Sequence, residues 1–128
     1  MLIFDLTPSI SYHTNTMVML DEIRRKIIRG SYEFSKHAVD QNIIRNISVT
    51  EVQEAIVNRS EIIEDYPDDK YGPSCLVLGF TVSGRPLHLQ CSYPSRPIIK
   101  LITLYEPDEN LWIDFRIRRQ DSEGGDSS

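Results

Sequence analysis

The apolar residues of this chain change their spacing once, near Asn58, and that change constrains the fold more than any other feature. Before it, apolar side chains recur every three to four residues, the spacing of helices that bury one face. After it, short apolar or alternating segments are separated by Pro, Gly and Asp, the pattern of strands and turns. Helices that come first and strands that follow predict an α+β domain, with helices packed on one side of a mostly antiparallel sheet of four to five strands. At 128 residues the chain fits one such domain and can bury a core without metal or disulfide support.

Leu20, Ile23, Ile27 and Ile28 mark an amphipathic helix over residues 18–29, with Arg24, Arg25 and Lys26 largely off the apolar stripe and Gly30 as the stop. Tyr32-Glu33-Phe34 reads as a short link. Ser35 can cap a helix running to about Asn46. In that helix Val39, Ile43 and Ile47 form a row directed at the core, while His37, Gln41 and Arg45, two residues out of phase, form a polar row on the opposite side. Ser48-Val49-Thr50-Glu51 has the form of a capping box, so a further helix is expected from about Thr50 to Asn58, buried through Val52, Ala55 and Ile56. Residues 1–17 show weak periodicity and are read as a leader; the domain is expected to span 18–119, and the polar stretch 120–128 to be a disordered acidic tail.

The strands are expected at Ser60–Tyr66, Ser74–Val82, Pro86–Tyr93, Ile98–Tyr105 and Leu111–Ile117. Ser83-Gly84 is a tight turn that makes the second and third of these a hairpin. Alternation places Leu87, Leu89, Cys91 and Tyr93 on one face and His88, Gln90 and Ser92 on the other. The sheet should thus offer the helices an apolar face and keep a more polar one carrying His88, Tyr105 and Arg116.

Composition narrows the function classes. The formal net charge is −5, which argues against a strongly basic nucleic-acid binder and against direct DNA contact. Charge is uneven, however: Arg24 to Arg45 holds six basic residues against Glu33 and Asp40, and Glu51 to Asp69 holds seven acids against Arg59. No run approaches the roughly 20 apolar residues of a membrane span. Met1 to Leu6 carries Asp5 and lacks a basic region before it, so it does not read as a signal peptide, and a cytoplasmic location is expected. Cys75 and Cys91 have neither CxxC nor disulfide-framework spacing and read as buried thiols in a reducing compartment.

Glycine-rich phosphate loops, nucleophile elbows and zinc patterns are absent, and no cofactor is expected. His37 and His88 are then the candidate groups that titrate near neutral pH, for use as a base and an acid, or else as surface and structural histidines.

The order of several short segments adds a resemblance. Ser35-Lys36-His37-Ala38, Arg45, Ile47-Ser48-Val49-Thr50-Glu51-Val52, the acidic Glu64-Asp65-Tyr66-Pro67 stretch, Gly84-Arg85-Pro86-Leu87-His88, and Ile102-Thr103-Leu104-Tyr105-Glu106-Pro107 followed by Trp112 resemble, in that order, the domain-of-unknown-function family four-two-five-eight. That family resembles the RelE, ParE and BrnT toxins of bacterial toxin–antitoxin pairs. The resemblance implies a RelE-like fold with helices on a curved antiparallel sheet. It also implies a metal-independent endoribonuclease cutting RNA by 2′-hydroxyl attack, and an antitoxin partner of zinc-ribbon or helix-turn-helix type. On that reading His37 and His88 are base and acid, Tyr105 positions ribose or a base, and Lys36, Arg45 and Arg85 hold phosphate, Arg85 from a mobile turn. The alternatives are a non-catalytic interaction module of the same fold and an inhibitor of another enzyme such as gyrase.

Overall fold

The computed structural model describes the backbone of residues 8–120 and the side chains of residues 16–120. Helix α1 (Pro8–Arg29) is longer than the periodicity predicts and begins inside the stretch read as leader; residues 1–7 and the 121–128 tail lie outside the described residues. Leu20, Ile23 and Ile27 are buried as expected, while Ile28 is exposed. Gly30, at φ 81, ends the helix: its N–H bonds the Ile27 carbonyl and the Ser31 N–H bonds that of Lys26, the two-bond cap that a left-handed residue makes possible.

Tyr32–Phe34 is a strand, β1, rather than a link. Three residues are too few to show an alternation, and the partner, β5 (Ile99–Tyr105), lies far along the chain and pairs with β1 in parallel. Helix α2 (Lys36–Ile44) follows at once. Ser35 accepts from the Ala38 N–H at 3.0 Å and donates its own proton to the Ile102 carbonyl at 2.8 Å, so the cap also ties the helix to β5.

That tie sets the rotation of α2 and overturns the expected core row. Ala38 is buried, whereas Val39 is 46% and Ile43 76% exposed. The helix stops at Ile44, Asn46 turns the chain through φ 54, and Ile47 enters the core from outside the helix. Helix α3 (Val49–Asn58) has the capping box: Ser48 accepts from the Glu51 N–H and Glu51 from the Ser48 N–H, each at 3.0 Å. Val52, Ala55 and Ile56 are buried.

Strands β2 (Ser60–Tyr66), β3 (Ser74–Phe80), β4 (Pro86–Ser92) and β5 complete a sheet of order β1-β5-β4-β3-β2, antiparallel except for the β1–β5 pair. The molecule is therefore an α+β protein, as expected. Helix α3 lies directly on β3, where a Cβ on Gly79 would stand 2.1 Å from the Ala55 carbonyl oxygen, so only glycine permits this approach. The core fills the helix side with Ile23, Val52, Ile56, Val77, Leu89 and Leu101 among others. Cys75 and Cys91 face each other across β3 and β4 as free thiols, and burial pushes Cys75 up to about 12.

The expected last strand, Leu111–Ile117, is instead a small hairpin of β6 (Trp112–Ile113) and β7 (Ile117–Arg118). Asp114 at φ 54 and Phe115 at φ 63 form its turn, closed by the Arg116 N–H on the Ile113 carbonyl at 3.0 Å. Two left-handed central residues give the type I′ geometry that matches strand twist, here without the usual Asn-Gly pair. Among the described residues no helix is long and apolar enough to cross a membrane.

Candidate active site on the outer sheet face

The strand register lays out the face turned away from the helices row by row. In β4, Leu87, Leu89 and Cys91 enter the core, so His88, Gln90 and Ser92 project the other way. Pairing sets His88 beside Leu78 and Tyr105, Gln90 beside Leu76 and Thr103, and Ser92 beside Ser74. A register shift between Ile62 and Glu64 re-aims β2, so that Glu64 joins the Leu76–Gln90 row and Tyr66 the Ser74–Ser92 row.

The β6–β7 hairpin covers the first row. The Trp112 ring stands edge to face with His88, centroids 4.4 Å apart, and Phe115 packs on Phe80 at 6.1 Å. Arg116 reaches Glu61 at 2.7 Å. Arg118, over the Trp112 ring, grips Glu64 with two bonds of 2.8 and 3.1 Å. Beyond the hairpin the next rows of this face carry Glu64, Leu76, Gln90 and Thr103 and then Tyr66, Ser74 and Ser92, with Leu76 and both serines buried and the Gln90 amide donating to Ser74 at 3.1 Å.

His88 is wholly buried under this hairpin. Its Nε2 lies 2.7 Å from the Phe115 carbonyl, which can only accept, so we assign the proton to Nε2; Nδ1 then accepts from the Tyr105 hydroxyl at 3.2 Å. Burial lowers the imidazole pKa, and the Phe115 carbonyl only partly offsets this, so the ring is neutral near pH 7. Burial likewise raises the Tyr105 pKa. His88 thus orients Tyr105 and anchors the hairpin.

Glu64 is the carboxylate that Arg118 meets on this face. Burial pushes its pKa up, but the bonds from Arg118 and from the Tyr66 hydroxyl outweigh burial and hold it below the usual value. Tyr66, bonded to Glu64, has its pKa raised by burial and by that carboxylate. Glu64, Tyr66 and Arg118 were missed as site residues. The alternation of Ser60–Tyr66 already placed Glu64 and Tyr66 on one face; Arg118 had no such signal, because its position depends on the hairpin.

The remaining candidates lie off this cluster, although the Arg45 charge acts on the Tyr105 phenol and opposes the rise of its pKa. His37 is exposed in the first turn of α2, a helix whose Ala38 packs into the core on the helix side, so the structure does not bring His37 to His88. Lys36 is exposed and stands 3.8 Å from Asp40. Arg45 lies just past the end of α2, exposed, with its Nε on Gln41. Arg85 is engaged by protein partners. It bonds Glu106 at 2.9 Å, Glu51 at 3.1 Å and the carbonyls of Asn46 and Arg45 at 3.0 and 3.2 Å, a structural clamp whose charge two carboxylates already meet.

Residues 34–106 match the model of a family described as Domain of unknown function (DUF4258), a segment running from the end of β1 past Tyr105 and stopping short of the hairpin that carries Trp112 and Arg118. No curated protein and no solved structure matches the chain.

Proposed function

The chain belongs to the Domain of unknown function (DUF4258) family, and from that premise we propose that it is an RNA-cutting protein of the toxin type, working on the outer face of its sheet. The observation that carries this reading is the convergence of Glu64, Tyr66 and Arg118 on that face, beside the His88–Tyr105 pair. It gathers a carboxylate, a cation and protonated phenols where a phosphodiester can reach them.

The chemistry follows from the competition for Arg118. An arriving phosphate draws the guanidinium away from Glu64, since a fork of N–H donors binds either anion. Burial then acts on Glu64 against the Tyr66 hydroxyl bond alone and makes it a better base. Glu64 takes the ribose 2′-hydroxyl proton, the 2′-oxygen attacks phosphorus, and the P–O5′ bond breaks. Tyr66 protonates the leaving 5′-oxygen and recovers its proton from Glu64, so the pair ends as it began. Arg118 holds the charge that builds on the phosphoryl oxygens. Tyr105, fixed by His88, orients the ribose. An antitoxin partner of the zinc-ribbon or helix-turn-helix type fits this reading.

Induced expression in a bacterial culture tests it, with wild type, Glu64→Gln and His37→Ala at matched soluble levels. Arrest by wild type and His37→Ala, but not by Glu64→Gln, is expected. Arrest by all three moves the site elsewhere.

A second reading, a non-catalytic interaction module, is favoured by the exposed Val39, Ile43 and Ile44 of α2. A stable protein complex lost on Ile43→Asp, with no growth arrest by wild type, would support it.

A further inference from the structure

At the Ser92 end of the Tyr66–Ser74–Ser92 row lies a cavity of about 250 Å³ lined by Tyr71, Gly72, Pro73, Ser92, Arg96, Lys100 and Ile102. Its composition differs from that of the Glu64 cluster. Arg96 has no ion pair among the described residues, and Lys100 has only an exposed partner, Glu33, at 3.7 Å. Tyr71 is 83% exposed, with the Lys70 ammonium 5.1 Å from its ring centre. Asp68 and Asp69 belong to the same loop, but neither lines the cavity. The result is an aromatic ring, the Arg96 guanidinium and a Lys100 ammonium with one exposed partner around a space below the ~300 Å³ of ordinary ligand sites. That size suits one nucleotide unit.

The register fixes its place relative to the chemistry. Ser92, in the cavity wall, shares a row with Ser74 and Tyr66, one row beyond Gln90 and Glu64. Two residues along a strand and two strands across put Ser92 roughly 12 Å from Glu64, a span of a few nucleotides along one polar face.

We propose that this cavity is a nucleotide-binding subsite for single-stranded RNA, in which Arg96 and Lys100 hold a backbone phosphate and Tyr71 stacks on a base. The subsite rests on the RNA-cutting reading above and names how that substrate is gripped away from the bond that breaks. Cation plus aromatic platform is the pairing that binds single strands with little sequence preference, because every base offers a π-face. Arg96 also supplies the bidentate geometry a phosphate takes.

The test is fluorescence anisotropy of a 5′-fluorescein-labelled single-stranded RNA dodecamer on the full chain carrying Glu64→Gln, so that the probe survives. Adding Arg96→Ala or Tyr71→Ala should weaken binding about tenfold each, while Tyr71→Phe, which keeps the ring, should bind as the parent does. Arg96→Ala should also reduce the salt slope of log K by about 0.7. Far-ultraviolet circular dichroism checks that the variants remain folded. Unchanged binding in both alanine variants, or no binding by the parent, overturns the subsite. Cleavage by the Glu64-bearing chain is followed separately. Binding that depends on Arg96 and Tyr71 without cleavage keeps the subsite and removes the nuclease. Cleavage with an unaltered KM in Arg96→Ala and Tyr71→Ala keeps the nuclease and removes the subsite.

Discussion

His88 shows how one side chain changes meaning between sequence and structure. Alternation in Pro86–Ser92 sets it opposite Leu87 and Leu89, and that placement holds. What alternation does not carry is the cover: Trp112 on the ring and the Phe115 carbonyl on Nε2 come from a segment that reads as a strand and folds as a hairpin. Replacing His88 by Ala removes the partner of a buried carbonyl and leaves a void beneath Trp112, so it should cost about 2–4 kcal/mol in urea unfolding. Its titration has a definite sign. The folded pKa lies below the ordinary 6.5, so the unfolded chain takes up the proton first on acidification. Stability from this group is present in full above pH 6.5 and is lost as pH falls toward the lower folded value. Thermal melts of wild type should show that decline, and His88→Gln should flatten it. Gly79 makes a similar point at the backbone. Gly79→Ala must move α3 off β3, because its Cβ would meet the Ala55 carbonyl at 2.1 Å, and a loss of roughly 1–3 kcal/mol or more in the same assay is expected.

Among the elements, legibility followed the locality of the signal. The α3 capping box is written in Ser48 and Glu51, two residues three positions apart that carry their own mechanism, and the structure shows both of its bonds. Ser48→Ala should lower stability by about 1 kcal/mol, read as a fall in the urea midpoint with an unchanged m-value. The strands β2 to β5 were legible for the same reason, within a residue or two at their ends. Helix α2 and its Ser35 cap were legible, but its rotation was not, because Ser35 also reaches Ile102 in a strand far away, and Val39 and Ile43 face outward. The β1 strand was hidden by its length and by a partner that is parallel and distant. The hairpin turn was hidden because Asp114 and Phe115 adopt left-handed backbone without a glycine. Such a position costs of order 1 kcal/mol in a non-glycine residue and is held here by Phe80 packing and the His88 bond.

For the whole molecule, the sheet divides the labour between its faces. The helix face is an apolar core that the period of the sequence predicted, and the outer face carries polar groups and is partly closed by the hairpin. The candidate site assembled itself on that outer face from β2, β4, β5 and the hairpin, so no contiguous motif could announce it. Alternation put His88 and Tyr105 on that face, and they are neighbours in register; Glu64 and Arg118 join them there, while His37 lies on α2. With a net charge of −5, the proposed RNA contacts rest on a few cations on one face. The measurement that bears most directly on the proposed activity is end-group analysis of a labelled RNA incubated with the purified full chain and with its Glu64→Gln variant. The account predicts 2′,3′-cyclic phosphate and 5′-hydroxyl ends from the wild type, reduced at least a hundredfold in the variant. Intact RNA in both reactions, or equal cleavage by both, would contradict it.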